Sequence, residues 1–156
     1  MRRRMEVPRT IFRAYDIRGI YGSELTLATA ERVGATFAAY HTSKGASGRI
    51  CIGRDARTSS PDLEAAVIAG LRSGGCDVES VGMIPIPVAN WWTWRGEFAG
   101  GVYITASHNP AEYNGIRFRH PDGAGYTEGN IEIKRMFFEE QAEDHSETGK
   151  VNILST

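Results

Sequence analysis

The sequence predicts an α/β fold, a three-layer α/β/α sandwich around a mixed, mainly parallel sheet of about four strands. Three observations carry that expectation. Ile50-Cys51-Ile52 and Val102-Tyr103-Ile104 are short continuous apolar runs, the character of strands buried on both faces. Segments with apolar residues at helical spacing alternate with such runs. Glycine-containing turns, Ser43 to Gly48 and Gly74-Gly75, stand between the first two helical segments and the strands that follow them.

The elements follow in order. Thr26 to Tyr40 reads as a helix, with Leu27, Ala30, Gly34, Phe37 and Ala38 on one face and Thr26 placed to cap it. Ile50 to Ile52 is the first buried strand. A second helix opens with Ser60 as N-cap and Pro61 at the first helical position, buries Leu63, Ala66, Val67, Gly70 and Leu71, and stops at Gly74-Gly75. Cys76 to Val81 is the next strand. Pro85 and Pro87 interrupt the chain before a short helix with Trp91, Trp92 and Trp94. Three tryptophans so spaced cannot all face one core: they pack under the last helix or leave one ring at an interface. Val102 to Ile104 is the third buried strand. Asn114-Gly115 reads as a turn, and Ile116 to Arg119 as an antiparallel edge strand paired through it. A final helix is expected near Gly129 to Gln141, and Val151 to Leu154 begins another apolar run.

The length of 156 residues suits one domain. With 18 basic and 19 acidic side chains, the net charge of −1 gives no reason to expect nucleic acid or an anionic membrane as partner. Arg2, Arg3 and Arg4 read as a solvated tail, because no signal-like apolar stretch follows. No run of about 18 apolar residues suggests a membrane span. The two cysteines, Cys51 and Cys76, form no CxxC pair and read as buried thiols of a cytoplasmic protein.

In open α/β sheets, ligands gather beyond the carboxyl ends of the strands. The loop after Ile104 is Thr105-Ala106-Ser107-His108-Asn109-Pro110, stiffened by the Asn-Pro step. Ser107 beside His108 admits three readings. A hydrolase pair requires neighbouring side chains to converge, and the GxSxG elbow is missing. Both residues can be simple loop formers. Or Ser107 carries a phosphoryl group, which needs N–H donors and cations around it. Backbone amides, Asn109, His108, Arg18 and Arg117 are the candidates, the arginines because a planar fork suits phosphate. Arg54 and Asp55, after the first strand, are expected to pair and fix their loop.

The run Gly101-Val102-Tyr103-Ile104-Thr105-Ala106-Ser107-His108-Asn109-Pro110-Ala111-Glu112-Tyr113-Asn114-Gly115 resembles the active-serine signature of the α-D-phosphohexomutases, the phosphomannomutase/phosphoglucomutase family. Ile11 to Gly19, Gly53 to Ser59 and Gly82 to Pro87 are similar, in order and spacing, to three further family motifs. The resemblance covers essentially residues 1–156 as the family's first domain. It implies phosphoryl transfer between the 1- and 6-positions of a hexose phosphate through a phosphoserine and a hexose 1,6-bisphosphate. It further implies Ser107, His108 and Arg18 as catalytic residues, with Tyr15, Asn109 and Arg117 holding substrate or phosphate. Mg²⁺ would be held in part by the phosphate on Ser107. The hexose phosphate and the remaining mutase domains, in cis or in trans, are the implied partners.

Two departures stand out. Arg117 occupies a position that is usually lysine in the family, and arginine does not deprotonate. Ile86 replaces a threonine in the third motif. The family's metal-binding, sugar-selecting and final phosphate-binding segments do not occur in this sequence, so the chain alone is expected to show little or no turnover. The other reading is a non-catalytic relative that binds sugar phosphates or a protein. Thr105 and Glu112-Tyr113-Asn114 resemble the mannose/glucose enzymes more than the glucosamine enzyme.

Overall fold

The computed structural model describes residues 7–45, 48–139 and 149–154. Within them the chain runs β1 (Ile17–Ile20), α1 (Leu27–Ser43), β2 (Arg49–Arg54), α2 (Ser60–Ser73), β3 (Asp77–Met83), α3 (Ile86–Arg95), β4 (Gly100–Ile104), β5 (Tyr113–Arg119), α4 (Glu128–Glu139) and β6 (Val151–Ile153). The strands form one sheet in the order β1-β5-β4-β2-β3-β6. Only β5 runs against the others: it is antiparallel to β1 and β4, whereas β2 is parallel to β3 and β4, and β3 to β6. The α/β sandwich with a mainly parallel sheet is therefore as expected, but the described residues form six strands rather than about four. The additions are the two edges. β1 lies at the end of the opening motif, and β6 is the short terminal apolar run.

The strand pattern distributes side chains between two cores. Ile50, Ile52, Val78, Val102, Ile104, Ile116 and Phe118 join Phe37 of α1, Leu63 and Val67 of α2 and Phe137 of α4 in the larger one. Cys51, Val81 and Phe98 form the smaller core on the opposite face, with Trp92 of α3 packed against it. The three tryptophans thus do not lie under the last helix. Trp92 faces the sheet, while Trp91 and Trp94 are each 52% exposed.

Local chemistry explains the element ends. Thr26 caps α1 as expected, its Oγ1 accepting the Thr29 N–H at 3.1 Å. At α2 the capping position is Ser59, not Ser60, and no side chain caps it. Ser60 opens the helix and donates its hydroxyl to Asp55 instead, at 2.5 Å. Pro87 lies in the first turn of α3, where a missing N–H costs nothing. Helices α1 and α2 meet backbone to backbone. A Cβ on Gly70 would stand 1.8 Å from the Glu31 carbonyl oxygen, and one on Gly34 2.3 Å from that of Val67.

Asn114-Gly115 is not a turn. Both residues lie inside β5, which is an interior strand between β1 and β4 rather than an edge. Asn114 is completely buried, and its amide donates to the Ser59 and Ser60 hydroxyls at 2.8 and 3.0 Å. Gly115 is required because a side chain there would strike the Ile17 carbonyl oxygen, 2.4 Å from its Cβ position. The reversal from β4 to β5 is made earlier, where the Tyr113 N–H donates to Pro110 O at 3.0 Å. The last expected helix begins one residue earlier than read, at Glu128; its expected end at Gln141, like the Arg2 to Arg4 tail, lies outside the described residues. Among the described residues no helix is long and apolar enough to cross a membrane.

Candidate active site

Adjacent parallel strands β2 and β4 bring their carboxyl-end loops together, Asp55 to Ser59 from one and Thr105 to Pro110 from the other. The β1–β5 register then places Arg18 opposite Gly115, whose carbonyl in turn accepts the Thr105 N–H at 3.0 Å. Sequence positions far apart thus converge on one corner of the sheet.

Ser107 sits at the crest of its loop, exposed, with φ +55°. A serine in the left-handed region is uncommon and persists where its surroundings hold it. Its N–H donates to Thr105 Oγ1 at 3.0 Å, and Thr105 Oγ1 donates to Asp55 Oδ2 at 2.7 Å. The Asn109 N–H closes the turn on Ala106 O at 3.0 Å.

The Ser107 hydroxyl oxygen accepts a hydrogen bond from Arg117 Nη2 at 2.6 Å. Arg117 Nε also lies 3.4 Å from Asp16 Oδ2, and Arg18 Nη2 donates to the same oxygen at 2.6 Å. Arg18 Nη1 donates to Asn109 Oδ1 at 2.7 Å, which ties β1 to the serine loop. One buried carboxylate therefore serves two guanidinium groups, and the corner keeps net positive charge beside the hydroxyl. The structure brings Ser107, Arg18, Asn109 and Arg117 into one network. Tyr15, 68% exposed, lines a cavity of about 340 Å³ together with Arg117. His108 is exposed and, among the described residues, makes no hydrogen bond to Ser107, which removes the geometric basis for a serine–histidine hydrolase pair.

Two features escaped the sequence reading. Arg54 does not pair with Asp55; it reaches back to Glu64 of α2 at 2.5 Å. Asp55 instead accepts the Ser60 and Thr105 hydroxyls, and its Oδ2 lies 3.4 Å from Arg57 Nε. Arg57 then clamps the serine loop from below. Its Nη1 donates to Pro110 O at 2.8 Å and Tyr113 O at 3.1 Å, and its Nη2 to Asn109 O at 2.6 Å and Ser107 O at 3.1 Å. The spacing from Asp55 to Arg57 hints at a loop-internal pair, but nothing local announces that the fork spans four carbonyls 50 to 56 residues away. Asp16 was likewise passed over, although it stands two residues before Arg18.

Residues 9–144 match the family model described as "Phosphoglucomutase/phosphomannomutase, alpha/beta/alpha domain I". The chain belongs to this family. A probable phosphoglucosamine mutase of Methanothermobacter thermautotrophicus is 46% identical over 116 residues, 74% of this chain and 25% of that protein. The phosphomannomutase/phosphoglucomutase of Pseudomonas aeruginosa is 40% identical over 130 residues, 83% of this chain and 27% of that protein. The crystal structure of a phosphoglucomutase/phosphomannomutase family protein from Burkholderia thailandensis superposes with a TM-score of 0.86 at 28% identity, covering 96% of this chain and 34% of that one. The chain therefore spans about a quarter to a third of these phosphohexomutase relatives' length. Relatives named for glucosamine are matched at 40 and 46% identity and one named for mannose/glucose at 40%, so overall likeness does not choose the sugar.

Proposed function

We propose that this chain is the phosphoryl-carrying first domain of a phosphohexomutase acting on mannose or glucose phosphates, with Ser107 as carrier. The observation that carries the reading is the exposed Ser107 hydroxyl held at 2.6 Å by Arg117, in a corner where two arginines share one aspartate. A phosphoserine bears roughly −1.5 to −2 charges and three acceptor oxygens, so fixed guanidinium donors suit it.

In the reaction the phosphorus–Ser107 oxygen bond breaks as a bond from phosphorus to a sugar hydroxyl forms, giving a hexose 1,6-bisphosphate. The sugar proton leaves, and the serine oxygen gains one. After the sugar reorients, its other phosphate returns to Ser107 by the reverse exchange. Positioning and charge stabilisation account for most of such catalysis. Arg117 and Arg18 supply charge at the serine, and Asn109 orients Arg18. Tyr15 offers an aromatic wall to the sugar. Arg117 holds phosphate but does not shuttle protons, since its guanidinium stays charged. His108, exposed on the same loop, is the imidazole available for proton exchange.

Mg²⁺, which the family implies, demands an oxygen-rich shell. Among the described residues no group of three or more His, Cys, Asp and Glu stands together. The surroundings of Ser107 are cationic, so these residues alone do not fit a closed ion site. A phosphate oxygen on Ser107 is the single ligand they offer, and the remaining domains of a full mutase would complete the shell.

Incubation with glucose 1,6-bisphosphate followed by intact mass spectrometry tests the reading. It predicts a gain of one phosphate in the wild-type chain and none in Ser107→Ala. Equal labelling of both, or labelling mapped to another residue, refutes it. A coupled assay on the chain alone is expected to show little or no mutase turnover.

A further inference from the structure

Helices α1, α2 and α4 share one face of the sheet, and among the described residues α3 alone covers the other. With no helix beside it, α3 keeps its outer side uncovered. Ala89 and Thr93 are buried toward the sheet, and Trp92 packs on the smaller core. Pro87, Trp91 and Trp94 are exposed on the opposite side, at the i, i+4, i+7 spacing of a helix seam. None of them belongs to the Ser107 network, and phosphoryl transfer gives them no task.

The seam is large for a surface that meets only water. Trp91 and Trp94 are each 52% exposed, and Met83 and Val88, at 62 and 43%, extend the apolar surface along the start of the helix. An aromatic side chain can bury roughly 150–250 Å², so the four residues leave about 400 Å² of apolar surface open. Single exposed apolar side chains are ordinary, but a patch of this size that holds two tryptophans has the character of an interface.

Three observations point to a second copy of the chain as the occupant. The first is the spacing. A twofold axis through α3 at Trp91 lays two α3 helices antiparallel, and the seam is symmetric about that point. Trp91 then meets Trp91, and Trp94 of each copy meets the smaller Pro87 and Val88 of the other. The second is charge. α3 has no acidic residue in its first turn, where a carboxylate is favourable. Glu97 is exposed just past the helix end, and the antiparallel arrangement carries it to the first turn of the other copy. The third is area. Two patches supply about 800 Å² of apolar surface, and at the roughly 65% apolar share of homodimer interfaces the total is about 1,200 Å². That clears the ~1,000 Å² that a specific interface needs.

We propose that the outward face of α3 is a self-association surface, and that two copies of this chain pair through it, α3 antiparallel to α3 about Trp91. The inference is independent of the carrier role of Ser107.

Sedimentation equilibrium of the full chain tests it. Wild type is expected to show a monomer–dimer equilibrium in the micromolar range, as suits an interface at the small end of the specific class. Trp91→Ala and Trp94→Ala should each weaken association at least tenfold, since tryptophans at the centre of an interface carry much of its energy. Trp91→Glu sets two like charges together at the twofold axis and should leave only monomer. Glu97→Lys should weaken the dimer severalfold. Ile153→Glu, on the exposed edge strand β6, should pair as wild type does. Circular dichroism and thermal melting of each variant separate lost pairing from lost folding, and the alanine variants keep the test available if Trp91→Glu does not fold. A wild-type chain that stays monomeric up to about 1 mM overturns the proposal and leaves the patch to some other partner. A dimer that ignores the tryptophan changes, or one that Ile153→Glu disrupts, also overturns it, the latter in favour of edge-to-edge strand pairing. Association that depends on the tryptophans but is unaffected by Glu97→Lys overturns the antiparallel arrangement.

Discussion

Arg57→Ala removes the clamp beneath the serine loop, and the structure sets the size of the effect. The wild-type fork makes two short bonds, 2.6 Å to Asn109 O and 2.8 Å to Pro110 O, and two longer ones of 3.1 Å to Tyr113 O and Ser107 O. A hydrogen bond to a charged group contributes about 1.5–3 kcal/mol when well buried. Here Ser107 and Pro110 are exposed, so water replaces part of what is lost. The 3.4 Å ion pair with Asp55 disappears as well, yet Asp55 keeps the Ser60 and Thr105 hydroxyls. The expected net loss is about 2–4 kcal/mol of unfolding free energy, measured by urea denaturation. The loop should respond more than the fold. Amide exchange of Asn109 and Tyr113, whose N–H groups close the two turns, is expected to accelerate in the variant while α1 and α2 keep their protection. Arg57→Lys, with a point charge instead of a fork, should fall between the two. A variant within about 0.5 kcal/mol of wild type, with loop amides unchanged, would refute the clamp, since that is the range of an ordinary surface substitution.

Two further outcomes follow from packing and from buried charge. Gly70→Ala places a methyl group 1.8 Å from the Glu31 carbonyl oxygen, a contact with backbone that no rotamer relieves. It should destabilise the chain by about 3 kcal/mol or more, the upper range for overpacking, as read by chemical denaturation. His41 sits buried between Phe37 O at 3.1 Å and Ala99 O at 3.3 Å, and burial lowers its pKa from 6.5 despite both carbonyls. The unfolded chain then binds more protons than the folded one, so stability present above pH 6.5 declines as the pH falls below it, by at most about 1.4 kcal/mol per pH unit for this one group. In His41→Gln the slope between about pH 6.5 and 5 should flatten; an unchanged slope would show that His41 is not the titrating group.

What was legible in the sequence divides along physical lines. Helices α1 and α2 announce themselves because their apolar faces repeat at 3.6 residues and glycine ends α2. The buried strands β2 and β4 read as apolar runs because parallel strands covered on both faces have no polar side to alternate with. The edge strand β1 escaped notice: Ile17-Arg18-Gly19-Ile20 is four residues long, half polar or glycine, and becomes a strand only because β5 pairs with it. Asn114-Gly115 misled because its local preference is a turn, while its actual role is tertiary. The buried Asn114 amide joins β5 to the start of α2, and Gly115 permits close approach of β1. The same division holds at the site. Ser107 and its loop carry a long motif, and Arg18 and Arg117 lie near enough in pattern to be chosen. The Arg57 clamp and the sharing of Asp16 by two arginines are facts of folding, since each depends on which strands become neighbours.

The central claim is that the corner around Ser107 is built to hold a phosphate, and phosphorus NMR of the chain with phosphoserine installed at position 107 addresses it without relying on turnover. Guanidinium donors at the serine oxygen favour the dianion. The phosphate's second pKa should therefore fall below its ordinary value of about 6 and move back up in Arg117→Gln. A second pKa at or above about 6 that ignores Arg117→Gln would contradict the account.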